Sequence, residues 1–187
     1  MPQPPAQSDQ TLMLAVRAGD IAALDTLFLR HHARLYGFLA RLTGNVHAAE
    51  DLVQEVFLRI LRFRSRYDAA GAFETWLFRI ARNVAIDRHS RVHREVSVDA
   101  LRDIPALQGS PLDAVTTTED HEALARALAE IPVHHREALL LRAVAGLSHR
   151  EVAAVLGCSE QASRVRVHRA AEALRTQWQK SGGDRDD

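Results

Sequence analysis

The chain has 187 residues, with 24 basic and 24 acidic side chains, a formal net charge of zero and 47% hydrophobic residues. No apolar run approaches the roughly 20 residues that a membrane-spanning helix needs. Because Cys158 is the single cysteine, an intrachain disulfide and a cysteine-built zinc site are excluded. The first ten residues, MPQPPAQSDQ, lack the basic start and apolar stretch of a secretory signal, so we expect a cytoplasmic protein without membrane insertion.

Hydrophobic spacing predicts helices along almost the whole chain. Residues 1–8 are rich in Pro and Gln and are expected to be a disordered tail. A short helix ends near Ala18, where Gly19 and Asp20 stop and recap the chain. The next three predicted helices cover about 21–42, 46–63 and 73–93.

Residues 95–118 change character, with Pro105, Gly109, Pro111 and three consecutive threonines but no lasting periodicity. We expect a flexible linker there. The helices predicted after it cover about 119–130, 133–144, 149–156 and 160–178, and residues 179–187 are expected to be a second disordered tail. No strand-length alternation occurs, so the predicted fold class is all-α. Two small helical domains, a bundle over 9–94 and a helix-turn-helix over 119–178, would be joined by the linker.

The zero net charge is an average over unlike segments. Residues 59–94 carry nine arginines against three acids, whereas residues 95–130 carry eight acids against two arginines. Residues 142–180 carry seven bases against three acids. Two basic blocks that flank an acidic connector favour nucleic-acid binding more than the total charge does.

The C-terminal block has the layout of a helix-turn-helix. Ser148 and Glu151 have the spacing of a capping box, Gly157 ends that helix, and Ser159 caps the next one. At 100° per residue, Ser163, Val167, Ala170, Ala171 and Leu174 share an inward arc. The opposite arc holds the following residues: Gln161, Arg164, Val165, His168, Arg169 and Glu172. Its donors suit guanine edges and phosphates, so DNA contact is the favoured interpretation of this face over a merely solvated one.

Two sequence blocks resemble one known family. LLRAVAGLSHREVAAVLGCSEQASRVRVHRAAEAL is similar to the promoter-binding C-terminal domain of bacterial RNA polymerase sigma factors of the extracytoplasmic-function group. The segments AEDLVQEVFLRILRF and FETWLFRIARNVAIDR resemble the core-binding and promoter-melting parts of the same family. The chain departs from the family at 161–163, where QAS replaces the common Gly-Thr-Val.

The resemblance implies a sigma factor that binds the clamp and flap of core RNA polymerase and is held by an anti-sigma factor. It implies duplex contacts at the −35 element from one set of residues: Ser159, Gln161, Ala162, Arg164, Val165, His168 and Arg169. It also implies contacts with the melted −10 strand, where cations follow the backbone and an aromatic face accepts an unstacked base. That second set is Arg64, Arg66, Tyr67, Arg79, Arg82, Asn83 and Ile86. The acidic face of the third helix, with Asp51, Gln54, Glu55 and Leu58, is expected to bind the polymerase clamp.

Nothing in the sequence indicates an enzyme or a cofactor. His89 and His93 are four residues apart on a helix, but no carboxylate accompanies them at HExxH spacing and arginines surround them, so no metal site is expected. Phe73 and Trp76, with Leu77, Ile80 and Val84, are expected to pack in the core. Two alternatives stay open: a helix-turn-helix regulator that binds duplex DNA without polymerase, and a protein-only interaction module that antagonises transcription.

Overall fold

The computed structural model describes residues 7–95 and 118–180, with side chains described for 7–91 and 123–180. Within these ranges the regular structure is entirely helical, which confirms the all-α class. The elements in chain order are α1 (Asp9–Ala18), α2 (Ala22–Thr43), α3 (Val46–Phe63), a 3₁₀ turn (Arg64–Arg66), α4 (Phe73–Glu95), α5 (Thr118–Ala129), α6 (Val133–Ala143), α7 (His149–Leu156) and α8 (Glu160–Lys180). None of the helices in these ranges is long and apolar enough to cross a membrane.

The predicted disordered tails and linker fall almost wholly on residues 1–6, 96–117 and 181–187, which lie outside the described residues. At the edges of those segments, Ser8 is the N-cap of α1 and accepts a hydrogen bond from the Thr11 amide. The helix α8 extends two residues beyond the predicted end, to Lys180.

Helix ends follow local chemistry. Gly19, with φ of 107°, ends α1 in the left-handed region, and the Asp20 carboxylate then accepts a hydrogen bond from the Ala22 amide at 3.1 Å. The side chain of Asn45 accepts from the Ala48 amide and starts α3. These caps satisfy amides and carbonyls that the helices themselves leave unpaired.

Helices α1 to α4 form a bundle around large apolar side chains. Phe38 and Phe78 are fully buried and pack edge to face, with their ring centroids 5.4 Å apart. Met13 from α1 and Ile60 from α3 are also fully buried. Burial of each such side chain contributes about 1.5–3 kcal/mol to folding, which fixes the relative positions of the four helices.

Helices α6, α7 and α8 form the second packed unit, with α5 against α8. The capping box of Ser148 and Glu151 is complete in both directions, and Gly157 ends α7 with φ of 65°. Helices α7 and α8 with this glycine turn therefore form the expected helix-turn-helix.

The two units are in contact. Helix α2 lies against α6, and α4 lies against α7. The guanidinium of Arg34 on α2 donates a hydrogen bond to the carbonyl oxygen of Ala145, at the end of α6. Buried side chains of both units belong to one contiguous apolar cluster, an arrangement that the sequence does not predict.

Candidate nucleic-acid interface

One face of α8 is open to solvent. Gln161, Arg164, Val165, His168 and Arg169, which are predicted to point outward, are all exposed. Ala162 is half-buried, and the exposed Ser159 accepts a hydrogen bond from the Ala162 amide at 3.1 Å. Ser159 therefore caps α8, and the structure brings the seven candidate residues together at the start of this helix.

The polar groups on this face have only weak surface partners. Arg164 contacts Glu160 at 2.6 Å, and His168 contacts Glu172 at 3.3 Å, both between side chains that are about half exposed or more. Pairs of this kind contribute roughly 0–1 kcal/mol, so phosphates or base edges can replace the acids at little cost.

Two histidines near α8, His135 and His149, have arginine neighbours. Burial and then the charge of Arg164 lower the pKa of His149. Burial lowers the pKa of His135 as well, and its neighbours His134, Arg169 and Arg166 lower it further. A positive field beside an exposed helix face favours a polyanionic partner.

The opposite side of α8 packs as predicted. Ser163 and Ala170 are fully buried, and Val167 and Leu174 pack partly buried against the apolar cluster. The Ser163 hydroxyl is buried and makes no hydrogen bond within the described part of the chain. The fold of α8 thus depends on small and apolar residues on one side, whereas the donors lie on the other.

A second basic surface lies at the turn between α3 and α4. Arg64 and Arg66 are exposed, and the Arg66 guanidinium lies 5.0 Å from the centroid of the Phe63 ring. Arg64 donates a hydrogen bond to the Leu61 carbonyl at 2.8 Å, which closes the end of α3. Both arginine side chains therefore remain available to the phosphates of a nucleic-acid strand that passes this turn.

Tyr67 does not lie on that surface. Its side chain is only 2% exposed and packs against Trp76 and Phe73, with centroid distances of 5.2 Å and 6.2 Å. Burial raises the pKa of its hydroxyl, which makes no hydrogen bond with the described residues. In this structure Tyr67 therefore presents no open face to a base, unlike the expectation from the sequence. In an irregular turn, alternation of cations and aromatics does not reveal which ring points inward.

Beside the turn lies a cavity of about 220 Å³ that the sequence does not predict. It is lined by Arg59, Phe63, Arg66, Trp76, Ile80 and Asn83. Phe73, Leu77 and Val84 are buried as expected. Trp76 and Ile80 also pack against the core, but they are half-buried and border this space. One sequence signal could indicate this cavity. Trp76, Ile80 and Asn83 are spaced so that they share one face of α4, which places an aromatic ring and an amide side by side.

Arg59, which lines this cavity, is held in place by two carboxylates. Its guanidinium donates to Glu55 and to Asp87, each at 2.7 Å, and so connects α3 to α4. Burial opposes the charged form, but these hydrogen bonds outweigh it and raise the pKa of Arg59. The two carboxylates compensate the charge of Arg59, whereas the exposed Arg66 and the Trp76 ring, which also line the cavity, suit a phosphate and a stacked base.

The remaining predicted residues of α4 are divided between solvent and the second unit. Asn83 and Ile86 are exposed. The Arg82 Nε lies 3.2 Å from Oε2 of Glu137 on α6, a carboxylate whose side chain is only 5% exposed. Arg79 is exposed but donates a long hydrogen bond, at 3.4 Å, to the carbonyl of Ala154 on α7. The second unit therefore covers part of the candidate surface of the first.

The predicted docking face of α3 is present. Asp51, Gln54 and Leu58 are exposed, and Leu58 has 62% of its surface accessible. Glu55 is half-buried because of its pairing with Arg59. Leu58 is thus a large apolar side chain exposed on this otherwise polar face of α3.

In the described side chains, no group of three or more His, Cys, Asp or Glu residues could hold a metal ion. The side chain of His93, one of the two spaced histidines, lies outside the described residues, and Cys158 is half-buried.

Comparison with known proteins agrees with this organisation. The families described as Sigma-70 region 2 and Sigma-70, region 4 match residues 27–95 and 121–174. The RNA polymerase sigma factor CarQ of Myxococcus xanthus is 41% identical over 161 residues, which cover 85% of this chain and 91% of CarQ. The ECF RNA polymerase sigma factor SigW of Bacillus subtilis is 30% identical over 87% of this chain and 92% of its own.

Among solved structures, the sigma factor RpoE of Bartonella quintana, in complex with the anti-sigma factor NepR, is similar to this chain with a TM-score of 0.70 and 25% identity. The match covers 83% of this chain and 96% of RpoE. Both matched regions occur in order, and the relatives align over most of their length. The chain therefore belongs to the sigma-70 family of RNA polymerase sigma factors, in the extracytoplasmic-function group.

Proposed function

We propose that this chain directs core RNA polymerase to specific promoters in the cytoplasm and initiates transcription there, without being an enzyme itself. The observation that carries the proposal is the presence of two exposed basic surfaces, on α8 and around the turn before α4, in one chain of this family. A duplex reader and a single-strand binder in the same molecule are what promoter recognition and melting require.

In this proposal the exposed face of α8 enters the major groove at the −35 element. Arg164, Arg169 and Gln161 supply donors to base edges and phosphates, while Ala162 and Val165 contact thymine methyl groups. Ser159, as the N-cap, and His168 complete the contact near the start of the helix.

The surface before and along α4 holds the melted non-template strand of the −10 element. Arg64, Arg66, Arg79 and Arg82 follow the backbone, and Ile86 extends the surface. The cavity beside Asn83 accepts one unstacked base against Trp76. Extrusion of a base costs a few kcal/mol, which stacking and the phosphate contacts of the polymerase complex offset.

The α3 face of Asp51, Gln54, Glu55 and Leu58 binds the clamp of the polymerase, and the second unit contacts the flap. Leu58 supplies the apolar centre of the first contact because it is the large exposed side chain on that face. The relative RpoE is solved with an anti-sigma factor, and we propose that a partner of that type also regulates this chain.

The contact between the two units makes the described arrangement a closed form of the free chain. The −35 and −10 elements lie about 25 base pairs apart, which corresponds to roughly 85 Å of B-form DNA at 3.4 Å per base pair. In the structure α4 touches α7 directly, so α4 and α8 cannot occupy both elements at once. The second unit must move away from Arg82 when the chain joins polymerase and promoter.

Closure also supplies a reason for weak promoter binding by the free chain. The carboxylate of Glu137 lies where a phosphate would meet Arg82, and α7 lies over Arg79. The −10 surface is thus partly covered by the chain itself.

The proposal is tested by adding the chain to core polymerase and selecting promoters from a random DNA pool. We expect promoter-specific initiation that depends on the chain, with little promoter binding by the chain alone. Failure to form a complex with core polymerase would refute the proposal. Tight sequence-specific binding to duplex DNA without polymerase would favour the regulator alternative. As a matched pair, Leu58→Ser should weaken assembly, whereas Leu29→Ser, at the more exposed leucine of α2, should leave it unchanged.

A further inference from the structure

Helix α1 lies before the region matched by the Sigma-70 region 2 family, yet it contacts the turn that borders the −10 cavity. Two of its side chains hold the loop 67–72. The Arg17 guanidinium donates to the carbonyl oxygen of Tyr67 at 2.7 Å, and the Gln10 amide donates to the carbonyl oxygen of Gly71 at 2.9 Å.

The spacing of these two donors matches the loop. Gln10 and Arg17 are seven residues apart, which places them on the same side of the helix, two turns and about 10.5 Å along its axis. Tyr67 begins the loop and Gly71 is near its end. The helix therefore holds both ends of the loop at a fixed separation.

The loop has little structure of its own to keep its shape. Inside it, the Asp68 carboxylate accepts a hydrogen bond from the Ala70 amide at 3.0 Å, and Ala69 is held at φ of 56°, a conformation that costs a non-glycine residue free energy. Such a conformation persists only where surrounding contacts impose it. The contacts from α1 are among those that do so.

Helix α1 itself is firmly attached to the bundle. Leu12, Met13 and Val16 are buried. The Asp9 carboxylate contacts Arg30 at 2.6 Å and the buried His31 at 2.7 Å, which ties the first turn of α1 to α2. Because α1 is fixed to the bundle, its hydrogen bonds to the loop can hold the loop in one position.

The loop, in turn, flanks the site. Arg66, immediately before it, lines the cavity, and the Tyr67 ring packs against Trp76, which lines the cavity from α4. From this geometry we propose that Arg17 and Gln10 are positioning residues that set base selectivity at the −10 element through the loop 67–72, without touching DNA. This inference rests on the proposed function.

The test uses the full chain with core polymerase on the promoter obtained by selection and on versions with single −10 or −35 substitutions. Arg17→Gln replaces the guanidinium with a shorter neutral amide, and Gln10→Glu replaces the amide donor with a carboxylate that can only accept. Each change lowers the net charge by one unit. Arg175→Gln, at an exposed position far along α8, is the control with the same change of charge. We expect the ratio of initiation on matched over mismatched −10 sequences to fall about five- to tenfold in both α1 variants, as loss of one hydrogen bond implies. The −35 ratio and polymerase assembly should not change.

Arg17→Lys, which keeps a cationic donor, should retain most of the −10 selectivity. Unchanged −10 ratios in both α1 variants would overturn the proposal, and so would an equal fall of the −10 and −35 ratios, which indicates general loss of structure. Hydrogen exchange of amides 68–72 in the free chain gives a readout that does not depend on transcription. Faster exchange in Arg17→Gln supports the anchor even if the wild-type chain fails to initiate, and unchanged exchange refutes it.

Discussion

The contact between Arg82 and Glu137 gives the sharpest test of the closed form. Glu137→Gln keeps the size of the side chain and removes its charge. Removal of one partner from a buried ion pair costs about 3–5 kcal/mol. The cost is smaller here because the Arg82 side chain is 26% exposed and its Nε is not aligned for a hydrogen bond with Glu137. A glutamine oxygen can also still accept from a guanidinium. We therefore expect the closed form to lose about 1–3 kcal/mol, a factor of about 5–150 in the closed-to-open ratio.

The assay is fluorescence anisotropy of a labelled single-stranded oligonucleotide with the selected −10 sequence, titrated with the free full-length chain. Glu137→Gln should bind it about 5–150 times more tightly than the unaltered chain, since Arg82 and Arg79 become available. The control is Glu130→Gln, which removes the same charge from an exposed position in the same unit. An affinity gain no larger than the control's would refute the closed form. Because Arg79 and Arg82 meet the backbone, an unrelated single strand should gain affinity as well, and the comparison with Glu130→Gln separates this gain from a general charge effect.

Four further outcomes are expected. Arg164→Ala and Arg169→Ala should each reduce initiation from the cognate promoter about tenfold while polymerase assembly persists, and unchanged initiation in either would show that the outward face of α8 is misassigned. Asn83→Ala should impair promoter opening, measured by permanganate reactivity, more than polymerase binding, and equal loss of both would count against its role. Gly157→Ala should lower the free energy of unfolding by about 1 kcal/mol and Tm by about 2–4 °C, because the left-handed φ strains any residue with a Cβ although space is available. Hydrogen bonds from Arg30 and His31 outweigh burial and lower the pKa of Asp9. Its contribution to stability is therefore complete above its ordinary value of 3.8 and is lost as pH falls through the lowered value, so Asp9→Asn should reduce the pH dependence of urea unfolding below that point.

The parts of the fold that depend on local periodicity could be predicted from the sequence. The inward and outward arcs of α8 follow from 100° per residue, and the structure buries Ser163 and Ala170 and exposes Arg164 and Arg169 accordingly. The capping box at Ser148 is also a local signal, since its two partners are three residues apart. Such features need no knowledge of the rest of the chain.

The features that were missed depend on contacts between distant residues. Arg82 and Glu137 are 55 residues apart in the sequence. No local sequence pattern around either residue predicts that the two side chains meet. The cavity draws residues from α3, the 3₁₀ turn and α4, so the sequence alone does not show that Trp76, which packs against the core, also borders this space. In the irregular turn, no period distinguishes the buried ring of Tyr67 from an exposed one.

The division of α8 into two sides has an evolutionary consequence. The packed side holds small and apolar residues, with Ser163 and Ala170 fully buried. None of the five exposed candidates on the other side belongs to that packing. Substitutions at exposed positions away from packing usually change stability by less than about 0.5 kcal/mol. Promoter preference can therefore diverge through mutations at Gln161, Arg164 or Arg169 almost without loss of fold. A duplicated copy of this gene could therefore acquire a new set of target promoters before its protein loses folding stability.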